Sequence, residues 1–398
     1  MKKLLLASSA FALVATGASA ESHMSEAKIG ILLGFTGPIE SLTPHMAQSA
    51  ELALSEINDS GMFLEGVTLT PVQADTTCVD ASAATAAGEG LVSNEGVVAI
   101  MGAACSGATT AVLANVALPN GVPMISPSST SPALTTVEDN GLFFRTAPSD
   151  ARQGEVLAQV LSDKGVTSVA VTYTNNDYGK GFADAFSAAF EGMGGSITTT
   201  VPHEDGKGDY SAEVASLASA GGDVLVVLGY ADSGGKGVIQ SAIDTGAFDT
   251  FAMGDGMYAD SLIADLGDML VGSYGTIPGA EGEGAEAFVT ITDAAGINGS
   301  SAFTRESYDA AALLALAAYA GGAATGEAIA ANVMAVANAP GEKILPGELG
   351  KALEILANGG EIDYVGASGV ELIEPGEAAG TYEEYEINED GYSTVQFR

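Results

Sequence analysis

Val97-Val98-Ala99-Ile100-Met101-Gly102-Ala103-Ala104-Cys105-Ser106-Gly107 opens as a short apolar run, stops at a glycine and passes into a loop carrying a hydroxyl. The run Val97–Gly102 has no polar alternation and is too short for a helix. It reads as a strand covered on both faces, the pattern of a parallel sheet. A helix is expected from about Ala108, with Ser106 as its N-cap. The same unit recurs to either side. Strand patterns fall at Lys28–Phe35, Val67–Ala74 and Pro123–Ser126, and again at Ser168–Thr174, Ser196–Val201, Val224–Tyr230, Thr250–Met253 and Val271–Ile277. Helical faces lie between them: Met46, Ala50, Ala53, Leu54 and Ile57 share one, and Val156, Leu157, Val160 and Leu161 share another. The β–α alternation runs once before Pro148 and again after Ala151. The fold class is therefore α/β, with two doubly wound units in tandem. Helices are expected at Ser301–Ala320, Gly326–Ala337 and Gly347–Ala357, and two closing strands at Thr381–Ile387 and Tyr392–Phe397.

Composition removes several function classes. The 398 residues carry 13 Lys+Arg against 51 Asp+Glu, a formal net charge of −38. No basic stripe exists to neutralise phosphates or to dock on anionic lipid, so neither nucleic acid nor a lipid surface is an expected partner. The chain is 47% hydrophobic, which argues for packed cores and against disorder. Mutual repulsion at this charge favours a soluble monomer.

The N-terminus reads as an export signal. Lys2 and Lys3 precede an apolar stretch from Leu4 to Val14, and Ala18-Ser19-Ala20 supplies a small-x-small cleavage site. Removal of residues 1–20 leaves 398 − 20 = 378 residues. In an oxidising compartment the two cysteines, Cys78 and Cys105, suggest one disulfide; two buried free thiols are the competing reading. Closing that loop would contribute about 3.6 kcal/mol in the chain-entropy model.

Catalytic patterns are missing. The three histidines, His23, His45 and His203, sit in no ligand spacing, and no Gly-x-Ser-x-Gly elbow occurs. Gly229–Lys236 imitates a phosphate loop, but the Lys is one position late and no Ser or Thr follows it. Gly254-Asp255-Gly256-Met257-Tyr258-Ala259 matches Gly-x-Gly-x-x-Ala, as expected by chance in a chain with 52 Gly. The expectation is a protein that is not an enzyme and uses no metal or cofactor. The hydroxyl-rich loops are more informative. Ser106 lies in one, and Pro127-Ser128-Ser129-Thr130-Ser131-Pro132 forms another beyond the next strand of its unit. Together they could cradle a carboxylate without any Arg; plain capping and turn chemistry is the competing reading.

Several segments share one likeness. They are the leader, Ile29–Pro38, the cysteine pair, Ile125–Thr135, Phe143–Pro148 and Asn176–Gly181, in this order along the mature chain. The chain resembles the leucine/isoleucine/valine-type periplasmic binding proteins of ABC importers. The resemblance implies a type I periplasmic binding protein fold: two α/β lobes joined by three crossovers, with ligand held in the cleft. Lobe 1 would take residues 27–148 plus 278–376, and lobe 2 residues 149–277 plus 377–398. It also implies a ligand set. Ser106 and Thr130 would bind an α-carboxylate, Ser128 would lend a backbone carbonyl, Tyr178 and Tyr230 would cover the ligand, and Asp255 would pair with an ammonium. Asp255 stands where the branched-chain binders carry Glu, and Leu42 stands where they carry a pocket aromatic. Loop packing for the tyrosines and a solvated turn for Asp255 are the competing readings. Asp150 reads first as the N-cap of the second unit's opening helix, with contact to the ligand as the second reading. The implied function is a periplasmic solute-binding subunit delivering a branched-chain-like amino acid to an ABC permease. The alternatives are an amide, urea or a small aromatic acid as ligand, or an exported sensor.

Overall fold

The computed structural model describes residues 25–398, so the expected leader over residues 1–20 lies outside the described residues. The first unit runs β1 (Glu26–Leu33), α1 (Thr43–Asp59), β2 (Thr68–Asp75), α2 (Ala81–Glu89), β3 (Ala99–Gly102), α3 (Ser106–Val112) with a closing turn α4 (Leu118–Asn120), β4 (Met124–Ser126) and β5 (Phe143–Arg145). The second repeats the plan: α5 (Asp150–Asp163), β6 (Ser168–Thr174), α6 (Asp177–Gly192), β7 (Ser196–His203), α7 (Ser211–Ala220), β8 (Val224–Leu228), α8 (Gly234–Thr245), β9 (Phe251–Met253), α9 (Asp260–Leu266) and β10 (Tyr274–Pro278). The chain then returns through α10 (Glu283–Ala295), α11 (Thr304–Ala320), α12 (Gly326–Ala337), β11 (Glu342–Ile344), α13 (Leu349–Ala357) and β12 (Ile362–Tyr364). It closes with β13 (Leu372–Ile373), β14 (Glu377–Ala378), β15 (Tyr382–Asn388) and β16 (Gly391–Phe397).

Two seven-stranded sheets result, one per lobe, in the orders β13-β14-β5-β4-β3-β1-β2 and β16-β15-β10-β9-β8-β6-β7. In each, the first strand of the unit lies between the second and the third, so the order reverses there. Loops at the carboxyl ends around such a switch point are where doubly wound sheets bind ligands. The strands β1, β3, β6 and β8 are parallel neighbours, and β8 is buried throughout, which explains its unbroken apolar sequence. Helix α11 is buried over nearly its whole length between α1 and α12, so it is apolar all round and shows no stripe. Gly102 ends β3 at φ +133°, and a Cβ there would stand 2.2 Å from the Leu32 carbonyl oxygen. Only glycine lets β3 turn out of the sheet so close to β1.

The expected strands and helices recur with shifted ends. Helix α11 starts at Thr304 rather than Ser301, because Phe303 takes a left-handed φ of +62° before it. Strand β5 was not expected, since its three residues end in a buried arginine. Glu377–Ala378 pairs with β5 in the first sheet, and Pro278 closes β10 in the second. The chain therefore passes between the sheets at residues 146–149, 279–282 and 379–381.

Candidate ligand-binding site

The loops that follow β1, β3 and β4 meet those that follow β6, β8 and β9 around a small cavity between the lobes. Ser106, Ser128, Tyr178, Tyr230 and Asp255 all line it. Thr130 does not reach the wall; it lies fully buried behind it, its carbonyl accepting from the Asp150 N–H at 2.8 Å.

On the first lobe, Cys105 takes the N-cap position of α3 and Ser106 is the first helical residue, which corrects the expected cap. The Ser106 hydroxyl instead accepts from the Ser131 N–H at 3.1 Å, tying the two hydroxyl loops together. Ser128 Oγ donates to the Ala104 carbonyl at 3.0 Å. Beneath them Arg145, fully buried, donates from Nη1 to the Ser129 carbonyl at 3.0 Å and the Ser131 carbonyl at 2.9 Å. Its charge is met by Glu377, with Nε donating at 3.2 Å. The guanidinium thus holds the loop from behind and is not free for a ligand. The disulfide joins Cys78 to Cys105, with Cα atoms 5.4 Å apart, and pins the β2 loop beside the cavity.

On the second lobe, Asn176 caps α6 by accepting from the Gly179 N–H. A Cβ on residue 179 would stand 2.2 Å from the Thr174 carbonyl oxygen, so Gly179 lets the first turn of α6 sit on the end of β6. That seat puts Tyr178 against Tyr230, ring centroids 5.2 Å apart and stacked. The Tyr178 hydroxyl donates to Asp255 Oδ1 at 2.8 Å and accepts from the Gly256 N–H at 3.2 Å. Asp255 is 2% exposed. Burial pushes its carboxyl up to about 6, against the Tyr178 hydroxyl and backbone amides that pull it down.

Asp150 is the residue that sequence reasoning misplaced. Ser149 is the N-cap of α5, its Oγ accepting from the Ala151 N–H, and Asp150 is the first helical residue. Its carboxylate is fully buried, and neither oxygen has a hydrogen-bond partner; the neighbouring Thr130 hydroxyl is likewise unpartnered. Burial, and then the charge of Asp255, push the Asp150 carboxyl well above the usual carboxylate range. The adjacent Ser149-Asp150 pair held the signal: two capping residues compete for one slot, and the loser turns its side chain elsewhere. Of the apolar wall, only Leu42 was anticipated, through the family resemblance. Ile39, Met46 and Phe303 line the cavity with it, but residues of that kind are indistinguishable from core in a sequence. No Lys, Arg or His lines it.

Residues 26–348 match the model of the periplasmic binding protein family. The chain belongs to that family. It is 30% identical over 328 residues to the Leu/Ile/Val-binding protein homolog 1 of Brucella abortus, covering 81% of this chain and 85% of that one. It is 27% identical over 351 residues to the chemotactic signal transduction system substrate-binding protein BasB of Halobacterium salinarum, covering 86% and 82%. Among solved structures, the leucine-binding protein of Thermotoga maritima superposes with a TM-score of 0.78 at 23% identity, covering 93% of this chain and 98% of that one. This binding protein is thus a two-lobed type I periplasmic binding protein, of a family of substrate-binding proteins rather than enzymes. No helix among the described residues is long and apolar enough to cross a membrane.

Proposed function

We propose that the cleft of this binding protein takes an α-amino acid with an apolar side chain and passes it to an ABC permease from the periplasm. One observation carries the reading. Asp255 lines the cavity with no basic side chain on its wall, and Asp150, fully buried and absent from that wall, has no hydrogen-bond partner on either oxygen. A buried carboxyl without a counter-charge stays protonated or pays for its charge, so a ligand that brings a cation gains by letting these groups ionise. An ammonium between Asp150 and Asp255 answers that need. The Ser106 and Thr130 hydroxyls, with the free amides at the start of α3, suit the carboxylate of the same zwitterion. In this reading the Ser128 carbonyl would accept from the ammonium, and the stacked Tyr178 and Tyr230 rings would cover it; all three residues line the cavity. The side chain then meets Ile39, Leu42, Met46 and Phe303, the wall that supports an apolar residue such as leucine, isoleucine or valine. Urea, amides and aromatic acids carry no cation and leave both carboxylates unpaired.

Delivery to a permease is the first partner reading, for a monomeric exported protein. A chemotactic receptor is the second, supported by the name of the Halobacterium relative. A thermal-shift screen tests the ligand class. Leucine, isoleucine or valine at 100 times its dissociation constant should add about 2.7 kcal/mol of stability. 4-Hydroxybenzoate, urea and acetamide should add none. Stabilisation by an uncharged or anionic compound, with none by any amino acid, would overturn the reading.

A further inference from the structure

Away from the ligand cavity, the Asp232 carboxylate joins the lobes at the mouth of the cleft. Ser41 of the first lobe immediately precedes Leu42, the N-cap of α1, and no acid lies in the first turn of that helix. The Ser41 backbone N–H finds its partner in the opposite lobe. Asp232 lies two residues past Tyr230, in the loop after β8, and its Oδ2 accepts from the Ser41 N–H at 2.9 Å. Its Oδ1 accepts from the Ser261 hydroxyl in the first turn of α9 at 2.6 Å, and the Ser261 and Ser41 hydroxyls lie 3.2 Å apart. The Asp232 N–H also donates to the Pro38 carbonyl at 3.3 Å. The three side chains form a ring across the lobes, each half-buried, and none lines the ligand cavity.

We propose that Asp232 is a closure latch: a carboxylate of the second lobe that bonds to the backbone just ahead of α1 of the first only when the cleft is shut, and that sets the closed fraction whatever ligand lies inside. The proposal rests on the reading of the cleft as a ligand site that shuts. Closure brings acids together, since Glu40, Asp177, Glu204, Asp205 and Asp232 all border the mouth. With 13 Lys+Arg in the whole chain, few cations are available to bridge them. The positive end of the α1 dipole and a backbone amide supply that bridge instead. On opening, the Ser41 amide and the Asp232 carboxylate return to water and that bond across the lobes is lost. A protein whose competent state is only partly populated binds with an affinity reduced by that fraction, so the latch scales every ligand's affinity alike.

Closure without ligand can be read by trapping. Asn298 Nδ2 donates to Asp260 Oδ2 at 3.1 Å across the lobes, so Asn298→Cys with Asp260→Cys places a thiol pair that meets only in the closed form. Adding Asp232→Ala should slow ligand-free disulfide trapping about tenfold, the worth of a charge-assisted bond at a half-buried site. Asp232→Asn keeps an acceptor and should fall between the two. Without the engineered cysteines, Asp232→Ala should speed dissociation of L-leucine and L-valine by one common factor in stopped flow. An unchanged trapping rate overturns the latch, and so do unequal factors for the two amino acids, which would mean that Asp232 acts on the ligand itself. If neither amino acid binds the wild type, the amino-acid reading fails while the trapping rate still decides the latch.

Discussion

Asp255 and Asp150 separate the amino-acid reading from its rivals one side chain at a time. Asp255→Asn keeps the shape and the oxygen that accepts from Tyr178, and removes only the charge. Losing one partner of a buried charge costs about 2–5 kcal/mol, or roughly 30- to 4,000-fold in affinity. Asp255→Glu retains charge and changes reach, so calorimetry should find it the milder variant. Asp150→Asn should also weaken binding, because both of its oxygens are otherwise unpartnered. The pH profile gives a second handle. With the Asp255 carboxyl at about 6 in the ligand-free fold, an ammonium must displace a proton at lower pH. Affinity should hold above pH 6 and decline below it, with proton release on binding at pH 5 visible as a buffer-dependent enthalpy. Stability of the ligand-free protein runs the other way. Between 3.8 and about 6 the folded state binds more protons at Asp255 than the unfolded chain, so this group's contribution is present below 3.8 and lost as pH rises through 6. An amino-acid affinity flat from pH 7 to 4.5 would contradict the role given to Asp255.

The buckle beneath the hydroxyl loops belongs to the element scale. Arg145 ends β5, and its guanidinium fixes the 129–131 backbone on one side and Glu377 of β14 on the other. Arg145→Met fills similar space but leaves Glu377, only 14% exposed, without its cation, and two carbonyls without donors. Breaking such a buried pair costs about 3–5 kcal/mol, to be read as a lower urea midpoint, and ligand affinity should drop with it as the loop loosens. The same strand marks where sequence reading stops. Strands β1, β3, β6 and β8 were legible because burial on both faces leaves an unbroken apolar run. Strand β5 was not, since three residues ending in Arg look like a loop until the carbonyls they serve are in place. The hydroxyl loops with Ser106 and Ser128 were legible at strand ends, whereas Tyr178, Tyr230 and Asp255 came from the family resemblance; all five line the cavity. Met46 and Phe303 were not: Met46 shares a helical face with Ala50 and Ala53, and nothing local distinguishes a cavity wall from a core. Asp150 was misread because capping preference is shared by Ser and Asp, and only the backbone shows which of two neighbours takes the slot.

At the scale of the whole molecule, burial of the site demands motion. Asp150, Asp255, Tyr178 and Tyr230 are each 5% exposed or less, so no ligand can reach them while the lobes are shut. The lobes meet through bonds that opening must break, Ser131 Oγ to the Asp177 carbonyl at 3.1 Å among them. Each of these is worth only about 1 kcal/mol net, because water replaces it. The three chain crossings at residues 146–149, 279–282 and 379–381 are short and carry no helix or strand, so they can absorb the backbone change while both sheets stay rigid. Motion confined to three parallel crossings is a hinge rotation rather than local unfolding. The ligand then supplies the contacts that bridge the halves: hydroxyl loops from one lobe, Tyr178, Tyr230 and Asp255 from the other. Small-angle scattering should therefore find a larger radius of gyration in the ligand-free protein than at saturating L-leucine, with the change lost in Asp255→Asn at the same concentration. Equal radii with and without bound amino acid would mean that the ligand enters by a route other than lobe opening, and the hinge at these crossings would have to be abandoned.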